Sequence, residues 1–167
     1  MNDVVIGKSK LAGKGTYAGR DFKQGERVIR WMLKEIDQSQ FDALPKDQQT
    51  FVHSFWGKMY RFPKPACYTN HSAHANTIAN YEDMCDYATK PIKKGEMITT
   101  NATEEFKFEV KTFIEANEEN VIVNFQWLKG GYRNAVVSYK VANKLKKLTL
   151  KRNGNWQIVK ERVEKVK

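Results

Sequence analysis

The sequence predicts a mostly β, α+β chain in two parts. Residues 1–103 read as a unit of short strands with a small helical insert at about 37–57. Residues 104–167 read as an α+β extension, a helix followed by antiparallel strands. Three observations predict this. Short apolar runs bounded by Gly, Pro and Asn turns recur along residues 4–100. Phe106, Val110, Phe113 and Ile114 fall at i, i+4, i+7 and i+8, one apolar stripe of a helix. Asn153-Gly154-Asn155 breaks a long strand candidate into a hairpin.

The elements follow in chain order. Val4-Val5-Ile6 and Tyr17-Ala18 flank a turn at Gly13-Lys14-Gly15, and Arg27-Val28-Ile29 alternates like a strand. Phe41, Leu44, Phe51, Val52, Phe55 and Trp56 sit at mixed helical spacings, with Pro45 dividing them into two short helices. A polar stretch from Cys67 to Asn76 precedes Ile78–Tyr87 and a last motif at Pro91–Thr100. Strand candidates then fall at Val121–Trp127, Ala135–Val141 and Lys147–Val163.

Composition narrows the class. With 41% hydrophobic residues, four Trp, nine Phe and seven Tyr, the chain has the material for a core and does not read as disordered. No apolar run approaches the roughly 20 residues of a membrane span, and Met1-Asn2-Asp3 does not open a signal peptide. The expectation is a soluble, cytoplasmic protein with no membrane partner. In that setting Cys67 and Cys85 are expected as free thiols. They stand near His71 and His74, but their spacing matches no compact zinc knuckle, so no metal site is expected.

The net charge of +10 is uneven. Residues 1–103 carry 15 basic and 11 acidic side chains, and residues 104–167 carry 14 and 8. Within 144–167, nine Lys or Arg face only Glu161 and Glu164. Such a strip either solubilises the fold or attracts an acidic partner or nucleic acid.

Two segments carry chemistry. One is Gly13-Lys14-Gly15-Thr16-Tyr17-Ala18-Gly19-Arg20-Asp21-Phe22-Lys23-Gln24-Gly25-Glu26. The other runs from Tyr68 to Glu96, contains Asn70-His71-Ser72 and Asn76, and continues into Gly95-Glu96-Met97-Ile98-Thr99-Thr100. Paired glycines let the backbone turn tightly and approach a ligand. A buried Asn offers two donors and an acceptor, although alone it is as often a turn or cap residue.

In their order and spacing these motifs resemble the SET-domain protein-lysine methyltransferases over about residues 3–102. The resemblance implies a fold of short curled β-sheets around a knot-like segment, with S-adenosylmethionine as cofactor and a protein bearing a target lysine as substrate. It nominates Lys14, Gly15, Tyr17, Asn70 and His71 for cofactor binding, with the His71 ring satisfying a carbonyl and its backbone facing adenine. It makes Thr100 the channel residue that limits how many methyl groups fit.

The sequence departs from the family pattern at the end of the last motif. Where the family has a tyrosine whose phenol orients the lysine amine, this chain has Ala102. Tyr68 and Tyr81 are the first candidates for a substitute hydroxyl, and Tyr60 and Tyr87 are further tyrosines of the same region. Three readings stay open: an engineered Tyr-to-Ala change, a module that binds cofactor or a lysine-bearing partner without catalysis, and a slow enzyme using another tyrosine. No Cys-rich segment stands in residues 104–167, so the family's zinc-binding module after the domain is not expected. The C-terminal part weakly resembles the strand-rich end of cystatin- or NTF2-like domains, through Trp127, Leu148-Thr149-Leu150 and Gly154–Val159. It stands as a replacement lid, a docking surface or plain core.

Overall fold

The computed structural model describes residues 3–165. The fold is β-rich α+β, with many short strands in small sheets, as the motif pattern predicts. In chain order the strands are β1 (Val4–Ser9), β2 (Gly13–Ala18), β3 (Arg27–Arg30) and β4 (Lys34–Ile36); then come helices α1 (Gln38–Asp42) and α2 (Lys46–Gln49). They are followed by β5 (Val52–Phe55), β6 (Lys58–Arg61), a 3-10 turn at Ala66–Tyr68, β7 (Asn70–His71), β8 (Thr77–Asn80), β9 (Cys85–Ala88) and β10 (Thr99–Thr100). Helix α3 (Ala102–Asn117) and strands β11 (Phe125–Gly131), β12 (Asn134–Val141), β13 (Lys144–Asn153) and β14 (Asn155–Lys165) complete the chain. Among the described residues no helix is long and apolar enough to cross a membrane.

Contacts divide the chain into two compact units: residues 1–34 with 61–105, and residues 35–60 with 106–167. The segment read from sequence as an insert thus groups with the C-terminal part.

The first unit is built on two matching turns. Asp21-Phe22-Lys23-Gln24-Gly25-Glu26 and Pro91-Ile92-Lys93-Lys94-Gly95-Glu96 each carry a glycine with positive φ just before the final glutamate, 77° and 87°. In each, the glutamate carboxylate accepts the lysine amide two residues before the glycine, Lys23 at 2.9 Å and Lys93 at 2.8 Å. Phe22 and Ile92 bridge the two turns and are buried. Each glycine amide donates to an alanine carbonyl, Gly25 to Ala88 and Gly95 to Ala18, at 2.8 Å. This pairing runs residues 96–98 along β2, with the Ala18 amide donating to the Glu96 carbonyl and the Ile98 amide to the Thr16 carbonyl. Beyond it, β10 lies parallel to β7, Thr99 opposite Asn70 and Thr100 opposite His71.

The second unit centres on α3. The stripe Phe106, Val110, Phe113 and Ile114 is buried against Ala135, Val137, Tyr139, Leu148, Leu150 and Trp156 of an antiparallel sheet ordered β11-β12-β13-β14. The helix begins two residues before the apolar pattern suggests. The first C-terminal strand starts at Phe125, whereas Val121–Asn124 carry no strand although Val123 is buried.

The expected helical segment at 37–57 is helical only in its first half. Asp37 caps α1 through a reciprocal bond pair with Gln40, at 2.8 and 3.0 Å. From Val52 the chain is a hairpin, because Trp56 and Gly57 both adopt positive φ (53° and 75°), the two-residue turn whose twist suits paired strands. The Asn153-Gly154-Asn155 turn docks there. Asn155 accepts from Ser54 Oγ and donates to the Gly57 carbonyl at 2.7 Å. A Cβ on Gly154 would stand 2.7 Å from Met59 Sδ.

A buried charge lies inside this unit. The Glu109 side chain is fully buried and accepts from Trp156 Nε1 at 3.2 Å, with His53 Nδ1 at 2.8 Å and Arg152 Nη1 at 3.5 Å. Removing one member of such a set strands the others. Glu109→Ala should lower stability by about 3–5 kcal/mol in chemical denaturation; a loss below about 1 kcal/mol would show that the set is not cooperative.

In the first unit, Asp86 is buried and accepts from Trp31 Nε1 at 2.9 Å. Burial pushes its carboxyl from 3.8 up to about 7. The folded state therefore holds this proton where the unfolded chain has released it. Stability should fall as pH rises from about 4 to about 7 and then level off. Asp86→Asn should be more stable than the parent at pH 8 by a few kcal/mol, with the gap closing near pH 4. A gap independent of pH would refute the assignment.

Candidate functional site

Three chain segments meet at Asn70. From β7 its Nδ2 donates to the Lys14 carbonyl and to Ser9 Oγ, both at 3.1 Å, and lies 3.6 Å from Met97 Sδ. Both amide protons are thereby used. Its Oδ1 has no partner among the described residues, although the residue is only 8% exposed. Next to it, Thr69 Oγ1 is a buried polar atom without a hydrogen bond among the described residues.

Gly15 makes this approach possible. A Cβ there would stand 2.9 Å from Asn70 Nδ2, 3.1 Å from Ser9 Cβ and 3.4 Å from Met97 Sδ. The glycine is required because the Asn70 carboxamide occupies the space over it. Gly13, with φ 71°, makes the preceding turn. Tyr17 is half-buried; its hydroxyl donates to the Lys8 carbonyl at 2.6 Å and its ring covers Gly7.

Asn76 fastens this arrangement to β10. Its Nδ2 donates to the Met97 carbonyl at 2.9 Å, and its Oδ1 accepts from the Thr99 amide at 2.9 Å and the Thr99 hydroxyl at 3.2 Å. Thr77 Oγ1 donates to the Thr99 carbonyl at 2.8 Å. These side chains are nearly or fully out of solvent, so their bonds form without competition from water.

Among the residues expected from sequence, Lys14, Gly15 and Asn70 are thus in direct contact. His71 is exposed, and its Nδ1 accepts the Ala102 amide at 3.1 Å. The ring satisfies an N–H, not the carbonyl expected from sequence. Ala102 is the first residue of α3, half-buried, so the histidine meets one of the amides a helix start leaves unpaired. Thr100 is half-buried beside His71, its carbonyl accepting from the Ser72 amide at 2.9 Å. Tyr68 lies under the Lys14 ammonium, 5.2 Å from Nζ to the ring centre. Tyr81 packs edge-on against Trp31, 5.3 Å between centres, on the β8–β9 turn.

Ser9, Met97 and Thr99 take part in the cluster without a role assigned from sequence, and Asn76 was visible only as part of a motif. Met97 and Thr99 lie inside the closing motif, where hydrophobicity and strand propensity account for them. Ser9 enters because the hairpin register sets it opposite Gly13. Cys67 is half-buried and Cys85 buried, its thiol donating to the Asp83 carbonyl at 3.1 Å.

A glycine-opened hairpin, an asparagine beneath it and a parallel strand pair thus form one hydrogen-bonded polar cluster in a β-rich unit. The SET domain model matches residues 13–103, more than half of the chain. The chain belongs to the SET-domain family, a family of lysine methyltransferases. No curated protein matches it. Among solved structures, a Plasmodium falciparum protein assigned as a histone methyltransferase is similar at 19% identity and TM-score 0.49, over 60% of this chain and 93% of that one. A chain of the ctPRC2 complex with histone peptides is similar at 23% identity and TM-score 0.49, over 62% of this chain and 15% of that one.

Gly15→Ala should displace the Asn70 carboxamide and cost about 1–3 kcal/mol in thermal unfolding, the cost of overpacking together with a strained hydrogen bond. In contrast, Gly13→Ala should act only through its positive φ, by about 1 kcal/mol, since no atom stands within 4 Å of its added Cβ. Equal losses at the two glycines would contradict the close approach.

Proposed function

We propose that the chain binds S-adenosylmethionine at the Gly15–Asn70–Met97 cluster and methylates a lysine of a protein substrate. The observation that carries this reading is Asn70, whose donors are spent inside the fold while its acceptor oxygen is left open. An open acceptor in a nearly buried position fits an ammonium or amine donor of a ligand. The cofactor fits these groups: Lys14, Gly15 and Tyr17 of β2 and Asn70 and His71 of β7 would hold it. When bound, it supplies an electrophilic methyl group on a sulfonium.

The chain's own contribution to transfer is positioning. A lysine amine attacks only when neutral, and its ordinary pKa is about 10.4, so turnover should rise with pH through the neutral range. Thr100 is small and stands in register with His71, which supports a channel wide enough for more than one methyl group. Tyr68 contacts the Lys14 ammonium, which makes it the first candidate for a hydroxyl near the cofactor, with Tyr81 the second.

One observation favours a second reading. The methyl side chain of Ala102 cannot hydrogen-bond an amine, so a module that binds cofactor or a lysine-bearing partner without turnover accounts for the same site. The two readings differ in transfer, and they share cofactor binding where the second module holds cofactor.

Calorimetry should detect S-adenosylmethionine binding, weakened by Asn70→Ala by about 1–3 kcal/mol; absence of binding by the parent chain would end the cofactor argument. Transfer of labelled methyl to basic proteins should be weak in the parent and rise about 10²–10³-fold in Ala102→Tyr, the typical value of one orienting group in an intact site. Equal turnover in the two forms would locate the working hydroxyl elsewhere, Tyr68 first.

A further inference from the structure

The pairing of β11 to β14 sorts the C-terminal charges by face. Residues directly opposite one another in antiparallel strands share a face. Ala135, Val137, Leu148 and Leu150 turn inward onto α3 and are buried. The positions between them face outward: Trp127 and Lys129 on β11, Val136, Ser138 and Lys140 on β12, Leu145, Lys147, Thr149 and Lys151 on β13. On β14 their partners are Gln157, Lys160, Arg162 and Glu164.

This outward face carries Lys129, Lys140, Lys147, Lys151, Lys160 and Arg162, all exposed, against the single acid Glu164. None of the six cations makes an ion pair among the described residues. The other acid of β14, Glu161, is in register with Leu148 and engages Lys146 at 3.3 Å. A face kept basic only for solubility would intersperse both signs. Here they are separated by strand register.

The same face holds an exposed aromatic ring. Trp127 is 45% exposed, and Lys147 Nζ lies 5.8 Å from its ring centre. Burial of Trp156 shows what a core tryptophan of this unit looks like, at 2% exposed. Cations on neighbouring strands stand about 5 Å apart, and those two residues apart on one strand about 7 Å apart. A sheet that offers distributed cations around an exposed ring suits a chain with regular negative charge and flat rings.

We infer that the outer face of the β11–β14 sheet binds single-stranded nucleic acid, with Trp127 stacking a base and the six cations contacting phosphates. An acidic protein would use the cations and leave the ring without a role. This surface lies within the second unit and does not depend on the methyl-transfer reading.

The test is fluorescence anisotropy of the full chain with a labelled single-stranded oligonucleotide of about 20 nucleotides, titrated at several salt concentrations. Affinity should fall steeply with salt. Lys147→Glu/Lys151→Glu/Arg162→Glu should abolish measurable binding at moderate salt, whereas Lys10→Glu/Lys34→Glu/Lys90→Glu, equal in charge change and exposed elsewhere, should retain most of it. Trp127→Ala should weaken binding about tenfold and Trp127→Phe much less. Equal losses in the two triple variants would overturn the assignment to this face. Polyglutamate competing as well as the oligonucleotide, with Trp127→Ala unchanged, would overturn the nucleic-acid occupant in favour of an acidic protein. Circular dichroism of each variant separates these outcomes from misfolding.

Discussion

The first unit depends on one carboxamide. Asn76 ties the Met97 carbonyl and the Thr99 amide and hydroxyl to the stretch that begins at Asn70, two segments far apart in sequence. The parallel pairing of β7 and β10 itself is only two residues long, so its register rests on such side-chain ties, with the Thr77 hydroxyl on the Thr99 carbonyl and the His71 ring on the Ala102 amide adding to those of Asn76. The Asn76 bonds are made out of water, where leaving one unmade costs most. They fix Met97 near Asn70, while backbone bonds of Glu96 and Ile98 hold the same stretch directly against β2. The site is therefore a consequence of how the closing motif is threaded and not a pocket added to a finished sheet.

Legibility in the sequence followed the range of each interaction. Local devices were readable: the glycine turns, the apolar stripe of α3 and the Asn153–Asn155 hairpin each rest on residues a few positions apart. The hairpin at Trp56-Gly57 was not, because a tryptophan at positive φ breaks the usual preference and its neighbours also suit a helix. The grouping of residues 35–60 with the C-terminal part was also hidden, since Ser54, Gly57 and Met59 show their partners only when Asn155 and Gly154 are placed. Within the site, motif order drew attention to Gly15 and Asn70, while Ser9 and Thr99 needed the strand register.

Glu109 explains why the second unit holds that distant segment. A carboxylate in a helix core must find compensating donors. Helix α3 offers none on its own apolar face, so His53 arrives from β5, and Arg152 and Trp156 from the strands around the Gly154 turn. Arg152 also donates to the Val52 carbonyl, binding the strand that carries His53. The same group that makes burial of Glu109 tolerable thereby specifies which strands surround α3, a role that apolar packing alone does not fill.

Ala102 separates two functions that a tyrosine would combine. Its amide opens α3 and is accepted by His71, so the path of the backbone is set by main-chain chemistry and by a neighbouring ring. Neither contact uses the side chain at 102. A substitution there can remove a phenol without loosening the helix start, the β7–β10 pair or the Asn70 cluster. In an active site whose catalytic group also held the fold together, the same change would be expected to spread. Here the Asn70 cluster is held by Ser9, Lys14 and Met97, so the methyl group at 102 is not among the groups that fix it, and the side chain at that position can change while the cluster keeps its contacts.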